Sequence, residues 1–256
     1  MLSRAELKRL RALKRPRGRA DSGLFLAEGV RVVEELLASG AVPRIALLAP
    51  SLEDTARGAG LARRLRDRTR TVDVDEQVIA ELADTETPQG VVVAAAIPRG
   101  SLAAARIPSR ASVVVLDGVQ DPGNFGTIVR SADAFAAALV IALPGTVDPW
   151  NAKSVRAAAG SSFRVPVAEA TLPETVSFLR THGLTLFGAD MNGTSIEEMT
   201  TLPRMALALG NEGAGLTTAV RAACDTLVAV PIRGAAESLN VGVAAGILLY
   251  MLSREQ

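Results

Sequence analysis

Three stretches of the chain carry polar side chains and glycines of the kinds that bind ligands and act on them. They are LDGVQDPGNFGTIVRSADAF (116–135), LALGNEGAGL (207–216) and VAVPIRGAAESLNVGVAAGILLY (228–250). Each begins with the end of an apolar run that predicts a β-strand. Ligands of open parallel sheets bind outside the carboxyl ends of the strands, so the three stretches predict one site at that edge of a sheet.

The first stretch combines a tight turn with an arginine in the following helix. Proline and glycine bend the backbone after the strand, and Asn124 lies close enough to the helix start to cap it. Arg130 then stands beside the strand end, where its planar guanidinium suits a phosphate or a developing negative charge. The alternative is a surface ion pair between Arg130 and Asp133, which would contribute roughly a few tenths of a kcal/mol.

The second stretch is a glycine-rich turn that contains an acid. Gly210, Gly213 and Gly215 leave backbone N–H groups open to a ligand, but their order matches neither a phosphate loop nor a dinucleotide-binding turn. Glu212 would repel a phosphate, which predicts a ligand with a cationic or hydroxyl-bearing part. Alternatively, the Glu212 carboxylate only holds the loop together by accepting backbone N–H bonds.

The third stretch joins a strand to an apolar helix. Ser238 is predicted to cap this helix and Asn240 to lie in its first turn, at the positive end of the helix dipole. The helix is apolar on every side and rich in small residues, which predicts that it is buried. Capping alone would also explain both side chains, and it is compatible with a role in binding.

Alternating strands and helices are predicted around these stretches. Residues 21–97 form a small α/β unit, in which 24–40 start with a short apolar stretch and continue as an amphipathic helix. Residues 98–111 contain prolines and a glycine without strand periodicity, which favours a linker. In residues 112–256 apolar strands alternate with helices, and this predicts a parallel sheet covered on both faces.

Charge is unevenly distributed along the chain. The formal net charge is +1, but residues 1–20 contain eight Lys and Arg residues against the acid Glu6, a local charge of 8 − 1 = +7. This basic arm favours a polyanionic partner, and the arginine-rich helix at 63–70 adds to it. A solvated, partly disordered tail is the alternative. With aromatic residues at 3%, base stacking on a sheet is not expected.

The cysteine content and the apolar runs predict the compartment. Cys224 is the single cysteine, so there is no internal disulfide, and we expect it to be a small buried hydrophobe rather than a nucleophile. The longest apolar run, about twelve residues, is too short to span a bilayer. The N-terminus has no apolar core of the signal-peptide kind. We therefore expect a soluble cytoplasmic protein without a membrane partner.

The segments DPGNFGTIVRSADAF, LGNEGAGL and VPIRGAAESLNVGVAAGILLY, in this order and spacing, resemble the three motifs of the SpoU/TrmH family of RNA ribose 2′-O-methyltransferases, which belongs to the SPOUT superfamily. They cover most of residues 112–252. The preceding unit resembles the family's RNA-binding domain, an α/β fold similar to certain ribosomal proteins, with FLAEGVRVVEELL as its best-matching piece. Valine replaces the commoner isoleucine before Pro231, a mild departure.

The resemblance implies an architecture and partners that periodicity does not show. Residues 112–256 would be a SPOUT catalytic domain whose C-terminal chain threads a loop into a deep trefoil knot, a topology that pattern arguments would not propose. The cofactor would be S-adenosylmethionine, and no metal is required. The substrate would be RNA, with 23S ribosomal RNA the first choice over transfer RNA. A homodimer would form through the catalytic domain, with the C-terminal helix near the interface.

The resemblance also implies roles for individual residues. Arg130 would act on the ribose 2′-hydroxyl, Asn124 and Asn240 would fix the geometry, and Glu212 and Ser238 would complete the polar set. The residues implied to contact the cofactor are Gly188, Ala189, Leu209, Gly210, Val230, Ile232 and Leu239. Two other classes of function stay open on the sequence: a knotted RNA-binding protein without catalysis, and a nucleotide-dependent dehydrogenase, which the order of the glycines disfavours.

Overall fold

The computed structural model describes residues 2–98, 100–200 and 202–253 of the chain. The strands are β1 (Leu24–Glu28), β2 (Pro43–Leu48), β3 (Thr71–Asp73), β4 (Val91–Ala96), β5 (Ala111–Asp117), β6 (Leu139–Ala142), β7 (Val167–Glu169), β8 (Thr185–Ser195), β9 (Arg204–Gly210) and β10 (Thr226–Ala229). The α-helices are α1 (Arg4–Ala12), α2 (Pro16–Ser22), α3 (Val30–Ala38), α4 (Ala56–Arg68), α5 (Glu76–Leu82), α6 (Pro122–Ala134), α7 (Ala152–Ala158), α8 (Leu172–Thr181), α9 (Thr218–Ala223) and α10 (Val241–Ser253). None of the α-helices in these three ranges combines the length and the apolar character needed to traverse a bilayer.

The chain forms two compact units, and the first of them is discontinuous in sequence. It consists of Met1–Pro98 and Asp148–Phe163, and the second consists of Arg99–Val147 and Arg164–Gln256. The sequence patterns indicate the helix now seen as α7, but they assign it to the C-terminal domain of residues 112–256. In the structure α7 packs on β1, and Trp150 lies 5.1 Å from Phe25 between ring centroids, in the core of the first unit.

The sheet of the first unit is mixed, with the strand order β1-β4-β2-β3. Strand β4 runs antiparallel to β1 and β2, whereas β3 is parallel to β2. Successive side chains of a strand point to opposite faces, and this separates two cores. Phe25 and Leu48 pack on one face with Leu61 of α4, and Leu26 and Leu47 pack on the other face with Leu10 of α1. Helices α1 and α4 therefore cover opposite faces of this sheet.

The basic N-terminal arm is folded into the first unit. Ser3 and Glu6 make a capping box at the start of α1, in which each side chain accepts the other residue's backbone N–H. Leu10 and Leu13 are buried beneath the helix. The alternative of a partly disordered tail therefore does not hold for residues 2–22, because this apolar anchoring fixes the segment.

An ion pair fastens the two sequence segments of the first unit to each other. Arg19, 3% exposed, donates through Nε and Nη2 to one carboxylate oxygen of Asp148 at 2.8 and 2.6 Å. Its Nη1 donates to the carbonyl of Leu13 at 2.7 Å. A guanidinium that is desolvated to this degree is tolerated only because all of these acceptors are in place.

Replacing Arg19 with methionine is expected to destabilise the first unit by about 3 kcal/mol, because Asp148 and a buried carbonyl then lose their donor. Trp150, the single tryptophan, lies in the core of this unit, so its fluorescence during urea unfolding reports the change. Arg17→Met is the matched control, since the one partner of Arg17 among the described residues is the exposed Asp21, at 3.7 Å. Equal shifts of the transition in the two variants would refute the anchoring role.

The second unit contains a fully parallel sheet, as the alternating pattern predicts. Its strand order is β10-β8-β9-β5-β6-β7, and every pair of neighbours is parallel. Part of the predicted linker, residues 98–111, packs on this unit. Gly100 forms a parallel bridge with Ala168 of β7, and Leu102 and Ile107 pack against the apolar core.

Helix α10 is less buried than its composition predicts. Its small residues make the expected close approach: a Cβ on Gly242 would lie 2.9 Å from Thr127 of α6. However, Val243 and Tyr250 are 50% and 54% exposed, and Tyr250 is covered only in part by the ring of Phe135 at 5.9 Å. These two residues are seven apart and so share one face of α10, which is apolar and open in the single chain.

Candidate active site

A cleft of about 330 Å³ opens in the second unit beside the ends of β8, β9 and β10. The turn Asn211–Gly215, here called the glycine loop, borders it, and so does the segment 231–240, here called the C-terminal loop. Its volume lies within the range of small-molecule sites. The predicted position at the carboxyl edge of a parallel sheet agrees with this location.

Most of the residues implied to contact the cofactor line this cleft. Backbone and apolar side chains form much of the wall, and the half-exposed Ile232 and Leu239 offer it two large apolar surfaces. The implied residues on the wall are Ala189, Leu209, Gly210, Val230, Ile232 and Leu239. Gly210 has no room for a side chain, because its Cβ would lie 2.1 Å from the carbonyl carbon of Gly215 where the loop folds back.

Gly188 is the exception among the implied cofactor residues, because it does not line the cleft. A Cβ at this position would meet the sulfur of Cys224 at 2.7 Å and the side chains of Leu216 and Leu227 at 2.8 Å, so its small size serves packing. Burial and the neighbouring Asp225 raise the pKa of Cys224 to about 11, and the thiol is therefore protonated at neutral pH.

A chain of three polar side chains joins the three predicted stretches. Glu212 of the glycine loop accepts a hydrogen bond from Nδ2 of Asn124 at 3.0 Å, and Oδ1 of Asn124 accepts one from Nδ2 of Asn240 at 2.9 Å. Glu212 also accepts the backbone N–H groups of Gln120 and Asp121 at 3.2 and 3.0 Å. We call Glu212, Asn124 and Asn240 the polar chain; it ties the loops after β5 and β9 to the start of α10.

The caps of the two helices differ from the predicted ones. Asp121, not Asn124, caps α6 by accepting the N–H of Asn124 at 2.9 Å. Asn240, not Ser238, caps α10 by accepting the N–H groups of Gly242 and Val243 at 2.9 and 3.3 Å. Both corrections free a side chain, because Asn124 can join the polar chain and Ser238 is left on the wall of the cleft.

Comparison with known proteins identifies the family. Residues 111–250 match the SpoU rRNA methylase family, and residues 4–93 match the MRM3-like substrate binding domain. The chain belongs to the SpoU rRNA methylase family. The SpoU match contains the cleft and the polar chain, and the substrate-binding match begins within the basic arm.

Relatives of this SpoU chain resemble it over nearly their whole length. The 23S rRNA (guanosine(2553)-2′-O)-methyltransferase RlmP of Bacillus subtilis is 37% identical, covering 91% of this chain and 90% of its own. The 23S rRNA (uridine(2479)-2′-O)-methyltransferase of Streptomyces viridochromogenes is 33% identical, covering 93% and 85%. The crystal structure of the SpoU methyltransferase AviRb of that organism, in complex with AdoMet, has a TM-score of 0.89 at 30% identity and covers 99% and 98%.

Arg130 of this SpoU methylase is exposed on α6 and does not line the cleft. Helix α6 begins at Pro122, so Arg130 lies in its third turn. The alternative ion pair with Asp133 is not formed, because Asp133 pairs with Arg164 at 2.8 Å. Within residues 2–98, 100–200 and 202–253 the Arg130 guanidinium has no hydrogen-bond or ion-pair partner, and its donors are open to a ligand.

Hydrogen bonds keep Glu212 ionised. Partial burial is the largest single influence and raises the pKa of Glu212, but the bonds from Asn124, Asp121 and Gln120 together outweigh it and hold the pKa below its ordinary value. A carboxylate with a lowered pKa in the folded state stabilises the fold above the pKa of a free glutamate, and this contribution is lost as the pH falls through the folded value. The polar chain is therefore intact throughout the neutral range.

Sequence reasoning missed several residues that shape the cleft. Asn211 donates to the carbonyl of Gly118 at 2.9 Å and accepts the N–H groups of Gly213 and Ala214 at 3.0 Å. Asp190 and Arg221 also lie on the wall. A polar residue directly after a buried strand was the available signal for Asn211, but nothing local pointed to Arg221 on α9.

Proposed function

We propose that this protein transfers a methyl group from S-adenosylmethionine to a ribose 2′-hydroxyl of 23S ribosomal RNA, and that it works in the cytoplasm. The observation that carries the proposal is the polar chain: Glu212 lines the cleft, Asn124 of the first motif donates to Glu212, and Asn240 of the third motif donates to Asn124. The relatives named above are 23S rRNA 2′-O-methyltransferases by name, and they modify two different nucleotides.

The test is to map ribose methylation over the whole 23S rRNA of a deletion strain by stalled reverse transcription, with and without the restored gene. One stop is expected to disappear on deletion and to return with the wild-type protein. Loss of a mark in transfer RNA instead would favour the alternative substrate. A strain with unchanged ribose methylation, together with a purified protein that does not bind S-adenosylmethionine in calorimetry, would favour a non-catalytic RNA-binding protein.

The donor set of the cleft fits the proposed cofactor. Ile232 and Leu239 give an apolar surface for a flat base, and Asp190 and Glu212 provide negative charge for a cation. S-adenosylmethionine supplies a methyl group already activated on a sulfonium, so no metal is called for. We propose that Ala189, Leu209, Gly210, Val230, Ile232 and Leu239 hold it, and that Gly188 supports this wall from the side that packs on Cys224.

The remaining chemical difficulty is the ribose hydroxyl, which is a poor nucleophile because it is protonated at neutral pH. We propose that Arg130 binds the adjoining phosphate and donates an N–H to the ribose oxygen as negative charge develops there. Because a guanidinium stays protonated in proteins, Arg130 cannot accept the proton of the ribose hydroxyl. That proton passes to solvent as the methyl group is transferred. Ser238, on the wall of the cleft, orients the hydroxyl, and the polar chain keeps the loops in register.

We propose that RNA docks on the α1 side of the first unit. Of the eight cations in residues 1–20, four are exposed and have no side-chain partner in the described part of the chain; this α1 patch consists of Arg4, Lys8, Arg9 and Arg15. The others are occupied: Arg11 pairs with Glu81, Lys14 donates to backbone carbonyls, Arg19 is buried, and Arg17 faces Asp21.

The arginine-rich segment at 63–70 contributes less than its composition predicts. Arg64 pairs with Glu34, Arg66 pairs with Glu53 and Asp73, and Arg70 pairs with Glu6. Only Arg63 and Arg68 of this segment are exposed without such a partner among the described residues. They lie on α4, across the sheet from the α1 patch.

The triple change Arg4→Gln, Lys8→Gln, Arg9→Gln is expected to weaken binding of a 23S rRNA fragment and to reduce the slope of log K against log salt by about two, because each lost phosphate contact removes about 0.7–0.9 from it. Filter binding over a salt series measures both effects, and calorimetry should find the cofactor affinity unchanged. Arg63→Gln, Arg68→Gln on the opposite face is the matched control. An equal loss in the control would contradict docking on the α1 side.

We also propose that the second unit forms a homodimer and is knotted. The open apolar face of α10, with Val243 and Tyr250, supports a contact between identical copies, since large exposed apolar residues on one helix face are typical of interfaces. For the trefoil knot, the support is that the chain leaves β10 at one edge of the sheet and returns across it to pack α10 on α6. The molar mass in solution tests the first of these proposals.

A further inference from the structure

An ion pair on the wall of the cleft lies outside all three family motifs. Asp190 is in β8 and Arg221 is on α9, and both line the cleft. The side chain of Asp190 is 6% exposed, whereas that of Arg221 is 43% exposed. A buried carboxylate that holds a half-exposed guanidinium at a ligand-sized cleft is a common way to present a cation to an anionic group.

Both oxygens of Asp190 are already engaged. One accepts a hydrogen bond from Nη2 of Arg221, and the other accepts the backbone N–H of Asn192 at 2.9 Å. A guanidinium has five N–H donors, and this contact uses only part of them. Asp190 therefore fixes the arginine in place, and the remaining donors of Arg221 are available to a ligand.

The charges on the wall favour one group of the cofactor. The ionisable residues among the lining residues are Asp190, Glu212 and Arg221, which give a net charge of 1 − 2 = −1. S-adenosylmethionine carries a sulfonium, an ammonium and a carboxylate, so its net charge is complementary to that of the wall. Its carboxylate, however, would be repelled by both acids unless it reached the one cation that lines the described cleft.

We propose that Arg221 binds the carboxylate of the methionine moiety and that Asp190 is its positioning residue. This inference rests on the proposed function, because it concerns the same cofactor. It adds a cation for the amino-acid end of the ligand, which the motif residues among the described lining do not provide.

The test compares ligands that keep or lack the carboxylate, by calorimetry on the full-length protein. Arg221→Gln is expected to weaken binding of S-adenosylmethionine and of S-adenosylhomocysteine by about 10- to 100-fold, since both contain the carboxylate. Binding of 5′-methylthioadenosine, which lacks the amino-acid part, should stay within about twofold of wild type by the same reasoning. Arg164→Gln is the matched control, because Arg164 is an equally exposed arginine that pairs with Asp133 and does not line the cleft.

Two further variants separate binding from packing. Arg221→Lys keeps the charge without the planar fork and should lose less affinity for the carboxylate ligands than Arg221→Gln. Asp190→Asn keeps an acceptor for the N–H of Asn192 but no longer holds Arg221 by its charge. The affinity of this variant for 5′-methylthioadenosine should also stay at the wild-type value.

Two results would overturn the inference: Arg221→Gln binding all three ligands as wild type does, or losing affinity for 5′-methylthioadenosine as much as for S-adenosylmethionine. Failure of the wild-type protein to bind S-adenosylmethionine would instead refute the proposed function itself. The two failures are therefore distinguishable in one set of titrations.

Discussion

Replacing Arg130 with lysine is expected to lower the rate of methyl transfer by about 100- to 1000-fold, the range found when one donor to a developing oxyanion is lost. Lysine keeps the positive charge, but it cannot present two parallel N–H groups to a phosphate and a hydroxyl at once. The affinity for S-adenosylmethionine should not change, because Arg130 is on α6 and does not line the cleft. Single-turnover methylation of 23S rRNA measures the rate, and calorimetry measures the affinity.

The control for this variant is Arg180→Lys on α8, an exposed arginine that lies away from the cleft. It is expected to methylate at the wild-type rate. A near wild-type rate for Arg130→Lys would remove Arg130 from the chemistry. A parallel loss of cofactor affinity would mean that Arg130 supports the cleft rather than the ribose.

Replacing Glu212 with glutamine is expected to lower both cofactor affinity and turnover, each by about tenfold, since hydrogen bonds to a charged acceptor contribute about 1.5–3 kcal/mol and glutamine keeps one acceptor oxygen for the donors of Asn124, Asp121 and Gln120. A carboxylate only accepts, so it forces Asn124 to turn its NH₂ toward Glu212 and its carbonyl toward Asn240. The carbonyl of Asn240 is then free to cap α10. A glutamine can donate as well as accept, so it no longer fixes which way the amides of Asn124 and Asn240 are oriented.

Glu237→Gln is the matched control for this variant, because Glu237 is exposed on the C-terminal loop and has no hydrogen bond within the described residues. The pH profile gives a second readout. Because the pKa of Glu212 is lowered, the wild-type rate should show no ionisation of this residue between pH 5 and 9, roughly. A glutamine variant with wild-type affinity and rate would show that Glu212 only closes its loop.

Local sequence patterns predicted most of the secondary structure, and they predicted that the three motifs lie close together. Period-3.6 spacing predicted α3, with Val32, Val33, Leu36 and Leu37 buried, and the continuous apolar runs predicted the parallel strands. The first two motif loops meet because β5 and β9 are neighbouring parallel strands whose carboxyl ends share an edge. The third motif follows β10, which β8 separates from β9, and it reaches the others through the start of α10.

What the sequence could not resolve depends on competition between near neighbours or on distant partners. Asp121 and Asn124 are both good capping residues three positions apart, as are Ser238 and Asn240 two apart, and only the tertiary bonds decide between them. The arginines of the segment 63–70 seem unpaired in the sequence because the acids that they contact, such as Glu34 and Glu6, come from other elements. For the same reason the sequence did not show that α7 packs on β1, which lies far from it along the chain.

The split of the first unit into Met1–Pro98 and Asp148–Phe163 has a consequence for biosynthesis. When residue 98 leaves the ribosome, Asp148, the ion-pair partner of Arg19, has not yet been translated. Trp150, which packs on Phe25, is also still missing. Nascent β5 and β6 emerge before this gap is filled. We therefore expect the core of the first unit to be completed only after residue 163 has been translated, and a fragment that stops at residue 98 to leave the apolar surface around Phe25 exposed.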